Sequence, residues 1–238
     1  MTHPTAVMFL CRQPSDHLRR FAAEVAALCV PLEIFIVCDQ PDEAKAGSIV
    51  ELLVDEEVCV AAGYRNATSV FHKPVIAWDK ALYAADGRFQ QCWFIEDDVL
   101  FADARALARL IDRYAADPNA LLCASYAEPD SDPDWPHWAT AEAFFPRIVT
   151  AHAFVPLCRL SAAVLAAVGE IARVNGRLCY IETMFASIRK SLHLPVGVYD
   201  ASVASIRFQP YFTLDEARAL FDSGVAAVHP FKQIARIE

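Results

Sequence analysis

The stretch Cys92-Trp93-Phe94-Ile95-Glu96-Asp97-Asp98-Val99 runs four apolar residues straight into three consecutive carboxylates. Short, aromatic and β-branched, Cys92 to Ile95 read as the end of a buried central strand. Three acids at the mouth of such a strand repel one another and resist desolvation. A divalent cation removes that cost, and Mg²⁺ or Mn²⁺ takes one or two carboxylates together with substrate phosphates. In an extended segment Glu96 and Asp98 share a face and Asp97 points the other way. The alternative is an acidic strand end that caps the following helix.

A second carboxylate stands out. Residues 178–188 are mostly apolar with one acid, Glu182. An acid there is costly unless it is paired, with Arg189 or Arg173 as partners, or functional. Its setting raises its pKa toward the range of a general base. Glu128 and Asp134 are the reserve candidates for that role.

Elements that position these residues follow from the apolar pattern. Ala6 to Cys11 reads as a strand, Ser15-Asp16 as the cap of a helix carrying Leu18, Phe21, Val25 and Leu28, and Leu32 to Cys38 as a second buried strand. Strand, helix, strand within so short a span is a βαβ unit and implies a parallel sheet, whose ligands sit beyond the carboxyl ends of the strands. Arg12 and Asp39 stand at such ends. Arg12 meets a base or phosphate and Asp39 a ribose or base, or each is a solvated turn residue. Ile49 to Val54 and Glu57 to Ala61 read as short strands, with Arg65 after the Gly63 turn. Pro74 to Ala84 reads as a helix whose Lys80 either reaches the acids or a phosphate or is solvated.

Beyond the acids, Asp103 to Ala116 is amphipathic, and Leu121 to Ser125 is a strand. Glu128 to Trp138 is too rich in proline and aspartate for regular structure. Its Trp135, His137 and Trp138 either offer aromatic faces to an acceptor sugar or fold back and are buried. Ile148 to Leu157 reads as one strand, Ser161 to Arg173 as a helix, Val196 to Phe208 as a late strand pair, and Leu214 to Phe221 as a helix boxed by Thr213 and Glu216.

Composition narrows the class. The 238 residues, 55% hydrophobic and 21% charged, suffice for one large core. A net charge of −9 argues against nucleic acid or an anionic membrane as main partners. The eight cysteines sit in apolar runs without a C-x-x-C pair, so they read as reduced core residues of a cytoplasmic protein. No signal peptide or membrane span is expected. Asn66-Ala67-Thr68 matches a glycosylation acceptor by chance. With 7 glycines, the chain has neither glycine-rich nucleotide loop.

Taken in order, these parts resemble a glycosyltransferase of the GT-A fold. A βαβ start leads to a central strand ending in Glu96-Asp97-Asp98, then an amphipathic helix, an irregular loop, a carboxylate in an apolar segment and a late histidine. The acid triplet is similar to the DxD variant of inverting N-acetylglucosaminyltransferases. The resemblance implies an α/β nucleotide-diphospho-sugar transferase fold, with a mostly parallel central sheet flanked by helices. It implies one domain over 1–238, with 1–100 binding the nucleotide sugar and 101–238 the acceptor.

It further implies a nucleotide-sugar donor, uridine-based, a hydroxyl acceptor, Mn²⁺ or Mg²⁺, and inversion with Glu182 as base. By the same resemblance, Asp98 meets the metal directly, Glu96 and Asp97 meet metal-bound water, ribose or sugar, His229 is a further metal ligand, and Lys232 neutralises the diphosphate. The competing classes are a nucleotidyltransferase or other metal-phosphate enzyme, and a non-catalytic nucleotide-sugar-binding domain.

Overall fold

In the computed structural model the described residues are 5–29, 31–40, 50–66 and 75–232. The start of the strand expected from Ile49, residues 67 and 68 of the glycosylation match, and Pro74 lie outside them.

Seven strands form the central sheet in the order β10-β6-β9-β4-β1-β2-β3. They are β1 (Thr5–Cys11), β2 (Glu33–Cys38), β3 (Val50–Glu51), β4 (Gln91–Glu96), β6 (Leu121–Cys123), β9 (Leu157–Ser161) and β10 (Val196–Val198). β1 pairs in parallel with both β2 and β4. β9 runs antiparallel between β4 and β6. Side chains alternate along each strand, so β1 sends Ala6, Met8 and Leu10 to one core and Val7, Phe9 and Cys11 to the other.

The first core is covered by α3 (Ala77–Ala85), α6 (Ala162–Asn175) and α7 (Ile181–Ser191), the second by α1 (Asp16–Leu28) and α4 (Ala104–Arg113). Ser15 caps α1 by accepting from the Leu18 N–H at 3.1 Å, and Asp103 caps α4 by accepting from Ala106 at 2.6 Å. Arg159, fully buried in β9, donates to the Asp117 carboxylate at 2.8 Å and to the Asn119 carbonyl at 2.8 Å, which fixes the turn between α4 and β6.

A small sheet, β11-β12-β5, joins β5 (Leu100–Phe101) to β12 (Ala227–His229) and β11 (Ala204–Ile206). β7 (Ser125–Ala127) pairs with β8 (His152–Phe154) as a separate ribbon. α8 (Leu214–Asp222) starts at the Thr213–Glu216 capping box.

Three expectations about elements fail for local reasons. Glu57 to Ala61 is not a strand but the body of α2 (Glu56–Ala61), because Asp55 accepts from the Glu57 N–H at 2.7 Å and nucleates a turn. The alternating Val58 and Val60 are exposed and only Cys59 is buried. Ile148 to Leu157 is broken: Arg147–Val149 is a 3₁₀ turn, and Pro156 separates β8 from β9. β10 and β11 do not pair with each other but join different sheets.

All eight cysteines are free thiols and seven are buried. Among the described residues no helix is long and apolar enough to cross a membrane.

Candidate functional site

The centre of the site is the turn after β4. Glu96 is the last strand residue, and its N–H donates to the Pro156 carbonyl at 2.8 Å, which locks it to the neighbouring strand. The Asp97 N–H donates to Leu10 O at 2.9 Å and the Val99 N–H returns to Glu96 O at 3.0 Å. A tight turn, rather than an extended run, therefore brings Asp98 back beside Glu96. Alternation along β4 puts Glu96 on the face of Phe94, under α3. There Trp78 lies against Phe94 at 5.3 Å, and its indole N–H donates to Glu96 Oε1 at 2.8 Å. The sequence reading missed Trp78; its signal is a tryptophan on a buried helix face, whose N–H must find an acceptor.

His229 arrives through the small sheet. β5 leaves the acid turn and pairs antiparallel with β12, Leu100 opposite Val228, so the residue after Val228 falls beside Asp98. The Phe231 N–H donates to Asp98 O at 2.9 Å and closes the junction. His229 Nδ1 lies 3.1 Å from the Arg207 carbonyl. A carbonyl only accepts, so Nδ1 carries the hydrogen and Nε2 is the ring nitrogen left to meet a cation or a proton. Nε2 faces Asp98 Oδ1 at 3.1 Å, and apart from that ring nitrogen the buried Oδ1 has no partner among the described residues.

Among the described residues Glu96, Asp98 and His229 form a cluster whose ligand atoms all lie within 4.8 Å of one another. Two ligands on adjacent vertices of a six-coordinate site with bonds of about 2.1 Å stand about 3 Å apart. The residues thus fit a divalent cation: two carboxylate oxygens, one imidazole nitrogen, and an orphaned oxygen that a cation would satisfy. Withdrawal from water pushes the Glu96 carboxyl above its ordinary range, with Asp98 adding repulsion and the Trp78 N–H opposing both.

Three clefts radiate from the turn, and each is bordered by Glu96 and Asp98. One of 210 Å³ lies over the ends of β1 and β2 and takes in Arg12, Asp39, Trp78 and Asp97. Asp39 Oδ1 accepts from the Ala77 N–H at 2.6 Å, at the start of α3. A second cleft, of 240 Å³, faces α7 and β12 and takes in Tyr180, Glu182, His229 and Lys232. The largest, of 580 Å³, opens between α1, β5 and α4, with Lys232 at its rim.

Glu182 sits in the first turn of α7. Neither arginine expected as its partner reaches it: Arg189 bonds the Tyr126 hydroxyl at 2.5 Å and the Leu194 carbonyl at 3.0 Å, and Arg173 pairs with Glu170. The group that most favours its ionised form is Tyr180 beside it, a second residue the sequence did not single out. Withdrawal from water and the nearby Glu96 charge raise the Glu182 carboxyl to about 8, against the Tyr180 bond. Glu128 is a poor base by comparison: the Lys190 ammonium, at 2.8 Å, holds its carboxyl below the ordinary range. Neither Glu128 nor Asp134 borders any of the three clefts.

Other candidates fall elsewhere. Lys80 is neither solvated nor in a cleft beside the acids. It is 3% exposed, donates to Cys38 O at 3.3 Å and Asp39 O at 3.1 Å, and pairs with Glu56 at 3.5 Å, so it holds the end of β2 rather than a ligand. Arg65 Nε is turned to the Gly176 carbonyl at 3.0 Å and borders none of the three clefts. The tryptophan loop folds back. Trp138 is buried and donates to Asp132 O at 2.8 Å, and Trp135 stacks on His152 at 4.5 Å. His137 packs on Tyr180 at 4.7 Å. The loop therefore backs Tyr180 instead of walling a cleft.

No family model and no curated protein matches the sequence. Solved structures do match in shape. The galactosyltransferase LgtC, in complex with donor and acceptor sugar analogs, superposes with a TM-score of 0.50 at 12% identity, over 94% of this chain and 86% of that one. The apo form of mouse xyloside xylosyltransferase 1 gives 0.45 at 11% identity, over 95% of this chain and 97% of that one. The fold is that of the GT-A glycosyltransferases. On this GT-A sheet the cluster Glu96, Asp98 and His229 occupies the carboxyl end of the central strand, where open α/β sheets place their ligands.

Proposed function

We propose that the chain is a metal-dependent glycosyltransferase that moves a sugar, hexosyl or N-acetylhexosaminyl, from a UDP-linked donor to an acceptor hydroxyl with inversion. The observation that carries this reading is the convergence of Glu96, Asp98 and His229 at the end of β4 in a GT-A fold. Those three residues would hold Mn²⁺ or Mg²⁺, which when bound supplies positive charge to the departing diphosphate.

The chain's own groups divide the remaining work. Arg12 and Asp39, at the ends of β1 and β2, take the nucleoside, and Asp97 turns toward the same side. Lys232 stands over the acids and adds a second positive charge for the phosphates. Glu182, in the cleft that also holds Tyr180 and His229, accepts the proton of the attacking hydroxyl. Residues 1–100 would then bind the nucleotide sugar and 101–238 the acceptor, with His229 and Lys232 closing the site from the acceptor half.

Calorimetric titration of UDP, GDP and CDP with and without Mn²⁺ tests the reading. Mn²⁺-dependent UDP binding is expected. Selective binding of GDP or CDP would change the donor alone, and no binding of any of the three would overturn the reading.

A further inference from the structure

The cleft that holds Glu182 has a second wall, made by Phe208 and Tyr211. They are 74% and 50% exposed, among the most exposed large apolar side chains described. Single exposed aromatics are ordinary. These two differ because they lie in one cleft with the acids, on a loop tied down at both ends.

The short loop that carries them is pinned at both ends. The Arg207 N–H donates to His229 O at 3.0 Å and the Phe212 N–H to Pro230 O at 2.9 Å. Inside the loop, Arg207 Nε donates to Pro210 O at 2.7 Å, and its guanidinium lies 3.7 Å over the Phe212 ring. Phe208 meets Phe154 edge-on at 6.2 Å, and Phe154 meets His229 edge-on at 5.4 Å. Tyr211 lies under the Lys232 ammonium at 5.2 Å. The loop's backbone is thus fixed relative to the proposed metal ligand, which lowers the ordering entropy that binding costs.

We infer that Phe208 and Tyr211 form the platform on which an uncharged acceptor sugar stacks the C–H face of its ring, its hydroxyl turned toward Glu182. This rests on the transferase reading above. Rigid aromatic faces suit a ring with one apolar side. The charge of the cleft sets the class further: Glu182, its one carboxylate outside the proposed cation cluster, must be ionised to act as a base, and that disfavours an anionic acceptor beside it. The role assigned from sequence to Trp135 and Trp138 passes to this loop, because those two rings are turned inward.

Saturation-transfer NMR on the full chain with UDP and Mg²⁺ tests this, with methyl β-galactoside, methyl N-acetyl-β-glucosaminide and lactose as probes. At least one sugar is expected to show saturation at its ring C–H protons. Phe208→Ala and Tyr211→Ala should each reduce that signal about three- to tenfold, Tyr211→Phe should keep it, and the UDP signal should not change. UDP saturation with no sugar signal, or a sugar signal indifferent to both alanine variants, would overturn the platform. Absence of the UDP signal overturns the transferase reading instead. In that case a sugar signal that still falls in Phe208→Ala upholds the platform, and absence of both signals overturns the two together.

Discussion

His229 Nε2 and Asp98 Oδ1 face each other at 3.1 Å, while the Arg207 carbonyl holds the other ring nitrogen. Two such atoms are stable together only with a cation or proton between them. Replacing His229 by Ala should therefore weaken Mn²⁺-dependent UDP binding on the order of 10- to 100-fold, and Asp98→Asn should weaken it at least as much. Titration calorimetry reads both variants. Unchanged affinity in Asp98→Asn would remove the metal assignment.

Glu182 supplies a pH signature. A base acts when it is ionised, so the acceptor-dependent rate should rise with pH through the region of about 8 and level off above it. Part of that elevation comes from Glu96, and a cation beside Glu96 cancels its charge. The midpoint should therefore lie lower in metal-saturated enzyme than in enzyme at limiting metal. Glu182→Gln should cut turnover about 10²- to 10⁴-fold and abolish the rise, while UDP binding stays near wild type. A full rate in Glu182→Gln would transfer the base role elsewhere.

Asp79 gives stability a pH dependence unrelated to chemistry. It is 1% exposed, accepts from the Ile76 N–H at 2.8 Å at the start of α3, and burial raises its carboxyl to about 7. Its folded pKa lies above the unfolded value of about 3.9, so the folded chain binds the proton more tightly. The stabilisation is full below the unfolded pKa and is lost as pH rises through about 7. Asp79→Asn should match wild type near pH 5 and be more stable by about 1–3 kcal/mol near pH 8. Thermal melts at the two pH values measure this, and parallel melts would refute it.

Gly63 and Gly87 separate steric clash from backbone strain. Both have positive φ, +82° and +69°. A Cβ on Gly63 would run into the Ala172 carbonyl of α6, whereas one on Gly87 meets nothing within 4 Å. Gly63→Ala should cost about 3 kcal/mol or more, and Gly87→Ala about 1 kcal/mol. Denaturant unfolding of the two variants compares them, and equal losses would deny the close approach of α2 to α6.

Legibility of the fold followed the range of the interactions. Ser15, Asp103 and the Thr213–Glu216 box act within one turn, and each marks the start of a helix that the structure contains. The buried character of β1, β2 and β4 is written in consecutive residues. The short α2 misled because Val58-Cys59-Val60-Ala61 is a short unbroken apolar run of strand length, although Asp55 and two acids in the first turn gave the helical signal.

The site itself was half legible. The acids announced themselves by crowding at a strand end. Trp78 on Glu96, and the pairing of β5 with β12 that delivers His229, join residues far apart in sequence, and no local pattern encodes them. Phe208 escaped notice because it lay inside a segment read as a strand pair, whereas the structure ends β11 at Ile206. Lys80 looked like a surface residue because its partners are main-chain carbonyls of β2.

The small sheet carries a consequence for biosynthesis. By the end of β10 at Val198, every strand of the seven-stranded sheet has been made, and Glu96 and Asp98 are already in place at the carboxyl end of β4. Only when β12 docks on β5 does the imidazole join them. A nascent chain paused between these points would carry the main sheet and two of the three residues of the cluster. Tight cation uptake would then mark the last step of folding, and protection from chelation could serve as a clock for how far a ribosome-bound chain has matured.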